Sequence, residues 1–98
     1  NGANGIELTN SDKTTIIDNE AFNNTENGIY MVNSDDNKLE TNNLHHNVED
    51  GIRLFSGSQQ NILDGNMASF NNLSGIALDL NCHNNLIYDN TVSNNKHH

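Results

Sequence analysis

The stretch Asn47-Val48-Glu49-Asp50-Gly51-Ile52-Arg53-Leu54 decides the architecture, because its pattern Asn-x-x-x-Gly-Ile-x-(Leu/Met) recurs along the chain. The dipeptide Gly-Ile begins at positions 5, 28, 51 and 75, so the intervals between copies are 23, 23 and 24 residues. A fixed period of this size indicates one small structural unit stacked on itself. We therefore predict four repeats within a single segment, residues 1–98.

Apolar residues fall into three groups of columns when the repeats are aligned on their glycines. The columns are Ile6/Leu8, Ile29/Met31, Ile52/Leu54 and Ile76/Leu78 after the glycine; Ile16, Leu39, Leu63 and Ile87; and Ala21, Leu44, Ala68 and Val92. The first group places apolar residues at i and i+2, which is the periodicity of a strand. Short strands without helices between them suit a chain in which each strand pairs in parallel with its counterpart one repeat later. The sequence predicts an all-β solenoid of about four coils.

Asparagine columns alternate with the apolar columns, and the chain contains 22 asparagines. The columns are Asn19, Asn42, Asn66 and Asn90; Asn1, Asn24, Asn47, Asn71 and Asn95; and Asn37, Asn61 and Asn85. We expect these side chains to form hydrogen-bonded ladders along the solenoid axis and to adopt the left-handed backbone conformation at bends. We expect the glycine that begins each coil to supply a conformation that a side chain would forbid.

Two local features complete the repeat. Coils three and four each carry one extra residue, between Leu54 and Ser58 and between Leu78 and Cys82, which predicts a loop at that place. The single cysteine, Cys82, occupies a column of small residues, so we expect a buried apolar role for it.

The full pattern, Asn-x-x-x-Gly-Ile-x-Leu-x-x-Ser-x-x-Asn-x-Ile-x-x-Asn, resembles the right-handed parallel β-helix repeats of the pectin-lyase-like superfamily. It is most similar to NosD-like periplasmic proteins and to the catalytic modules of mannuronan C5-epimerases, and the resemblance covers essentially all 98 residues. It implies a right-handed β-helix, an extracellular, cell-surface or periplasmic location, and binding or modification of polysaccharide, as in an epimerase or lyase. The Tyr-Gly-Phe-Asp-Pro-His type motif of those enzymes is absent, and the chain has no proline. The resemblance therefore assigns no catalytic residue, and a non-catalytic stalk or surface-assembly unit remains the alternative.

Charge and hydropathy exclude two classes of partner. The net charge of −9 argues against nucleic-acid binding, which needs a basic face, and no apolar stretch approaches the length of a membrane span. Asn1 opens a repeat and His98 closes one without a cap, so we expect further coils or neighbouring copies to stack on the ends. The sequence does not distinguish whether His97 and His98 are native or belong to a purification tag.

The outward positions of the strand after each glycine supply the candidate binding residues. Strand alternation places Glu7, Tyr30, Arg53, Phe55 and Asp79 on one outer strip. Sugars stack on aromatic rings and form hydrogen bonds with charged groups, and a uronate carboxylate could pair with Arg53 in a bidentate fork. The alternative is an ordinary solvated face whose side chains pack on one another, and this interpretation is favoured.

Other charged groups give weaker signals. Asp12 and Asp35 occupy one column, where they are either an oxygen-rich cation site, with Ca²⁺ as the candidate, or solubilising charges; the second interpretation is favoured. His45 and His46 are adjacent, so we expect them to point to different sides, and His83 lies in another loop. This is not the spacing of metal ligands, and we predict no metal site at the histidines.

Overall fold

The computed structural model describes residues 3–79 and 81–97, which form short β-strands, three in each coil, and no helix. In chain order the strands are β1 (Ile6–Thr9), β2 (Thr15–Ile17), β3 (Glu20–Phe22), β4 (Ile29–Val32), β5 (Lys38–Glu40), β6 (Asn43–His45), β7 (Ile52–Phe55), β8 (Ile62–Asp64), β9 (Met67–Ser69), β10 (Ile76–Leu78), β11 (Leu86–Tyr88) and β12 (Thr91–Ser93).

Each strand pairs in parallel with its counterpart one coil later, so the strands form three sheets. Sheet A has the order β1-β4-β7-β10, sheet B the order β2-β5-β8-β11, and sheet C the order β3-β6-β9-β12. The register aligns the columns seen in the sequence; for example, Ile29 pairs with Ile52, and Leu39 pairs with Leu63. The predicted all-β solenoid of about four coils is confirmed.

The core runs along the axis between the three sheets. Leu39, Ile52 and Leu63 are fully buried, while the residues beside them on each strand are at least partly exposed, as strand alternation requires. In coil four, Ile87 and Val92 also belong to inward columns but are 40% and 42% exposed, because a coil covers them on one side only. The inward assignment of the apolar columns is therefore confirmed.

The predicted asparagine ladders are present among the described residues, which do not include Asn1, and Asn47 shows how they work. Its Oδ1 accepts from Asn24 Nδ2 at 2.8 Å, and its Nδ2 donates to Asn71 Oδ1 at 2.9 Å and to the Ala21 carbonyl at 3.2 Å. Asn47 is 2% exposed, so these bonds lie inside the protein. Each ladder asparagine therefore satisfies polar groups of the neighbouring coils, which would otherwise be costly to bury.

The expected backbone conformation of the ladder asparagines is wrong. The left-handed residues include the ones just before the ladder, such as Asn23, His46 and Phe70, whereas Asn47 and Asn71 themselves are not left-handed. The ladder asparagine faces inward to make its hydrogen bonds, so the preceding residue makes the bend.

The expected role of the coil-starting glycines also needs correction. The described glycines with positive φ are Gly57 and Gly65, not those that begin the coils. A Cβ on Gly28 would lie 2.6 Å from the Gly51 carbonyl oxygen and 3.0 Å from Asn47 Nδ2. Glycine is required there because the next coil approaches too closely for a side chain, not because of its φ angle.

The extra residue of coil three lies in the loop between β7 and β8, as predicted, and Gly57 adopts a φ of 80° in that loop. The corresponding loop of coil four includes Leu80, which lies outside the described residues. Cys82, expected to be buried, is only partly buried and packs against the edge of the core, because coil four is covered on one side.

Candidate functional site

The outer face of sheet A carries the five candidate residues. Glu7, Tyr30 and Arg53 form one outward column of consecutive strand partners. Phe55 lies in the adjacent outward column, and Asp79 follows β10 at the corresponding place in coil four. The strand pairing that builds the core therefore brings these residues to one side of the solenoid.

Two aromatic rings occupy the middle of this face. The ring centroids of Tyr30 and Phe55 are 6.4 Å apart with an interplanar angle of 26°, and Phe55 is 36% exposed. The guanidinium carbon of Arg53 lies 5.7 Å from the centroid of the Phe55 ring, within the range of a cation–π contact. The packing foreseen between Tyr30, Arg53 and Phe55 is thus present, and it leaves aromatic surface open to solvent.

The guanidinium of Arg53 is held by two carboxylates. Its Nε donates to Asp79 Oδ2 at 2.6 Å, its Nη2 contacts the same oxygen, and its Nη1 lies 3.6 Å from Asp50 Oδ2. Partial burial lowers the pKa of Arg53, but the hydrogen bond and charge of Asp79 outweigh it, and the pKa is raised overall. A uronate that paired with Arg53 in a fork would have to displace Asp79.

Asp50 is the residue of this cluster that was not predicted from the sequence. It is 3% exposed and accepts a hydrogen bond from the Ser74 backbone N–H at 2.8 Å. Burial raises the pKa of Asp50, against the opposing effects of that hydrogen bond and of the Arg53 charge. One signal was available: Asp50 holds a column position that is asparagine in the first two coils, three residues before the arginine.

Glu7 lies on the same face but outside the aromatic cluster. Its carboxylate accepts from Asn4 Nδ2 at 3.0 Å and from Thr9 Oγ1 at 3.3 Å. It is exposed and pairs through the strand register with Tyr30. Glu7 therefore extends the polar part of the face by one coil beyond the rings.

Asp12 and Asp35 serve a third role that neither interpretation foresaw. Asp12 Oδ1 accepts from the Asp35 backbone N–H at 2.8 Å, and Asp35 Oδ1 accepts from the Gln59 N–H at 2.7 Å. These carboxylates act like the ladder asparagines, because each caps a backbone donor of the next coil. No group of three metal-ligating side chains occurs among residues 3–79 and 81–97.

His45 and His46 lie together, contrary to the expectation that they would point apart. Their Nδ1 atoms are 2.7 Å apart, and His45 Nε2 lies 2.7 Å from Glu20 Oε2. Alternation fails here because β6 ends at His45 and His46 adopts a left-handed φ of 57°. His83 Nδ1 lies 3.1 Å from the Asn81 carbonyl oxygen, and His83 is remote in sequence from the pair.

Comparison with known proteins identifies the family. Residues 1–98 match the family described as right handed beta helix region. The chain belongs to this right handed beta helix family. The right-handed parallel β-helix that the family resemblance implied is therefore confirmed.

The crystal structure of the periplasmic alginate epimerase AlgG is similar to the chain, with a TM-score of 0.85 and 32% sequence identity. The similarity covers 90% of this chain and 21% of the epimerase, so the chain spans about a fifth of that protein's length. No curated protein matches the chain. The described residues include no helix that is long and apolar enough to cross a membrane.

Proposed function

We propose that this right handed beta helix segment binds polysaccharide on the outer face of sheet A, as part of a carbohydrate-modifying protein located in the periplasm or outside the cell. The observation that carries the proposal is the open aromatic pair Tyr30 and Phe55, placed beside the Arg53–Asp79 ion pair. The similarity to an alginate epimerase supports the same class of partner.

The chemistry of the face suits a sugar ring. The apolar face of a pyranose stacks on an aromatic ring, and its hydroxyl groups both donate and accept hydrogen bonds. Arg53 supplies donors, and the carboxylates of Asp79 and Glu7 supply acceptors. Because the three groups are held by neighbouring side chains, little conformational entropy is lost when the sugar binds.

The charge of the face bears on the kind of glycan. With Arg53 engaged by Asp79 and Asp50, the face has no unpaired cation among these residues and suits a neutral sugar directly. An acidic sugar requires either the displacement of Asp79 or a bridging cation such as Ca²⁺, because the protein carries a net charge of −9. We therefore propose that this face binds either neutral or acidic glycans. Any catalysis would occur in other parts of the carbohydrate-modifying protein.

A glycan-array screen of the 98-residue chain, with and without added Ca²⁺, tests the proposal. The variant Phe55→Ala removes the exposed ring, and Ile17→Ala is the matched control because Ile17 is a 43% exposed side chain on the outer face of sheet B. We expect the first variant to lose glycan binding and the second to retain it.

Two outcomes would contradict the proposal. Equal binding by both variants would show that the glycan does not bind on the outer face of sheet A. Absence of binding by the folded wild-type chain on the array would favour the structural alternative, a stalk or assembly unit, for which the continuous ladders already provide a rigid scaffold.

A further inference from the structure

A shallow concave surface, here called the corner groove, lies away from sheet A, at the corner that follows sheet C in coils three and four. The ladder asparagines Asn71 and Asn95 line it together with residues that flank the ladder in sequence, namely His46, Phe70, Asn72, Asn94 and Lys96. Its volume is about 500 Å³, and it is shallow and open to solvent, so a bound ligand would keep much of its surface exposed. None of these residues belongs to the face described above.

Phe70 is the unusual residue of the corner groove. It is 53% exposed and adopts a φ of 54°, a left-handed conformation that asparagine tolerates and a bulky aromatic residue rarely adopts. Asn23 and Asn94 occupy the same column in coils one and four with nearly the same φ. The fold therefore accepts asparagine at this place, and an exposed, strained phenylalanine contributes little to the core. Such strain points to a function.

The orientation of Phe70 leaves part of its ring free. One face stacks on His46, with centroids 5.3 Å apart and an interplanar angle of 10°. His46 belongs to coil two, so the opposite face of the ring is turned toward coil four, where Asn94 and Lys96 line the corner groove. An aromatic face bordered by amide and ammonium groups is the arrangement that binds a sugar ring with polar substituents.

The corner groove differs in charge from most of the protein surface. The protein has 13 acidic residues and a net charge of −9, yet no carboxylate is among the residues that line the corner groove. Lys38 and Arg53 are both engaged in ion pairs, whereas Lys96 makes no ion pair with any residue in the described ranges 3–79 and 81–97. The corner groove therefore presents the ammonium group of Lys96, the imidazole of His46 and neutral amides, which complement a negative charge.

We propose that the corner groove binds an anionic sugar unit, a pyranose ring that carries a carboxylate. The ring stacks on the free face of Phe70, the carboxylate pairs with Lys96, and the side-chain amides of Asn72 and Asn94 contact the hydroxyls. This site is separate from the sheet A face, so either can bind sugar without the other. A polysaccharide long enough to reach around the coil would contact both.

The test uses the 98-residue chain and two probes: a tetramer of a hexuronic acid, and the same tetramer with its carboxyls methyl-esterified. Binding is measured by calorimetry and located by NMR shifts of the Asn72 and Asn94 side-chain amides. Phe70→Asn restores the residue found elsewhere in the column, so it removes the ring without disturbing the fold. Phe22→Ala is the control, because Phe22 is a 46% exposed ring at the other end of sheet C.

We expect the acidic tetramer to shift both amides, and its affinity to fall at least fivefold in Phe70→Asn and in Lys96→Gln but not in Phe22→Ala. The methyl ester should bind more weakly and should not respond to Lys96→Gln. Shifts confined to sheet A, wild-type affinity in Phe70→Asn, or equal displacement by the same concentration of acetate would each overturn the proposal. Because Phe55→Ala tests sheet A separately, failure of one site is distinguishable from failure of the other.

Discussion

The buried carboxylate of Asp50 lies 3.6 Å from Nη1 of Arg53. Nε of the same arginine donates at 2.6 Å to Oδ2 of Asp79, which lies on the outer face of sheet A. Arg53 therefore joins a buried carboxylate inside the solenoid to the outer face of sheet A. Asp50 would be an uncompensated buried charge without it, and Asp79 would have no fixed position on the face. Stability and the shape of the proposed binding face thus depend on one side chain.

Replacing Arg53 with Met should expose this dependence. We expect the free energy of unfolding to fall by about 2 kcal/mol, less than for a fully buried pair because the Arg53 side chain is 29% exposed. The double variant Asp50→Asn/Arg53→Met should recover most of the loss, since asparagine occupies the same column at Asn4 and Asn27. Urea unfolding of the two single variants and the double variant gives the coupling energy, and strictly additive effects would contradict the pairing.

Stability should also respond to the titration of Asp50. Burial raises its pKa above the ordinary value of 3.8, so between 3.8 and the raised value the native carboxyl holds a proton that the unfolded chain has lost. This contribution favours the folded state in acid and disappears as pH rises through the folded pKa. Relative to Asp50→Asn, the wild type should therefore lose stability as pH increases from 3.5. A pH-independent difference in thermal unfolding between the two proteins would refute this.

The ladder should be sensitive to loss of a single amide. Asn47→Ala leaves the Ala21 carbonyl and the Asn24 and Asn71 side chains short of a partner inside the protein, and we expect a loss of about 3 kcal/mol. The exposed Asn72 is the control, and Asn72→Ala should change the free energy of unfolding by less than about 0.5 kcal/mol. Chemical denaturation of both variants measures the difference, and similar losses would mean that the ladder does not stabilise the fold.

Changing either of two glycines to alanine should lower the free energy of unfolding, but for different reasons. At Gly28 the new Cβ would lie 2.6 Å from the Gly51 carbonyl oxygen, so we expect a loss of about 3 kcal/mol from forced separation of coils. At Gly57 the Cβ would meet nothing within 4 Å, but the φ of 80° remains strained, and we expect about 1 kcal/mol. Thermal unfolding ranks the two, and the reverse order would contradict the close approach of coils at Gly28.

The repeat predicted the core well because a period of 23 or 24 residues aligns every column independently of side-chain detail. Leu39 and Ile52 were assigned inward from alternation alone, and both are fully buried. The Asp50–Arg53–Asp79 cluster could not be predicted in the same way, because Arg53 and Asp79 are in different coils and the contact depends on the rotamer of a long side chain. A common face follows from register, but a specific contact does not.

The histidine pair shows a second limit of the pattern. Alternation predicts opposite directions for adjacent residues only while the strand continues. β6 ends at His45, and the left-handed φ of His46 turns its ring back toward its neighbour. The same bend places Phe70 in the corner groove one coil later, so the features that the repeat did not predict lie at the turn rather than on a strand.

The direction of the ladder has a consequence for how such a chain can change during evolution. Asn24, Asn47 and Asn71 each donate from Nδ2 to Oδ1 of the asparagine one coil later. Every coil therefore forms the same hydrogen bond with the coil after it. Duplication or deletion of a whole coil therefore preserves every ladder bond, whereas a shorter insertion outside a loop would misalign all columns after it. The protein can lengthen or shorten in steps of one repeat while its outer faces diverge freely.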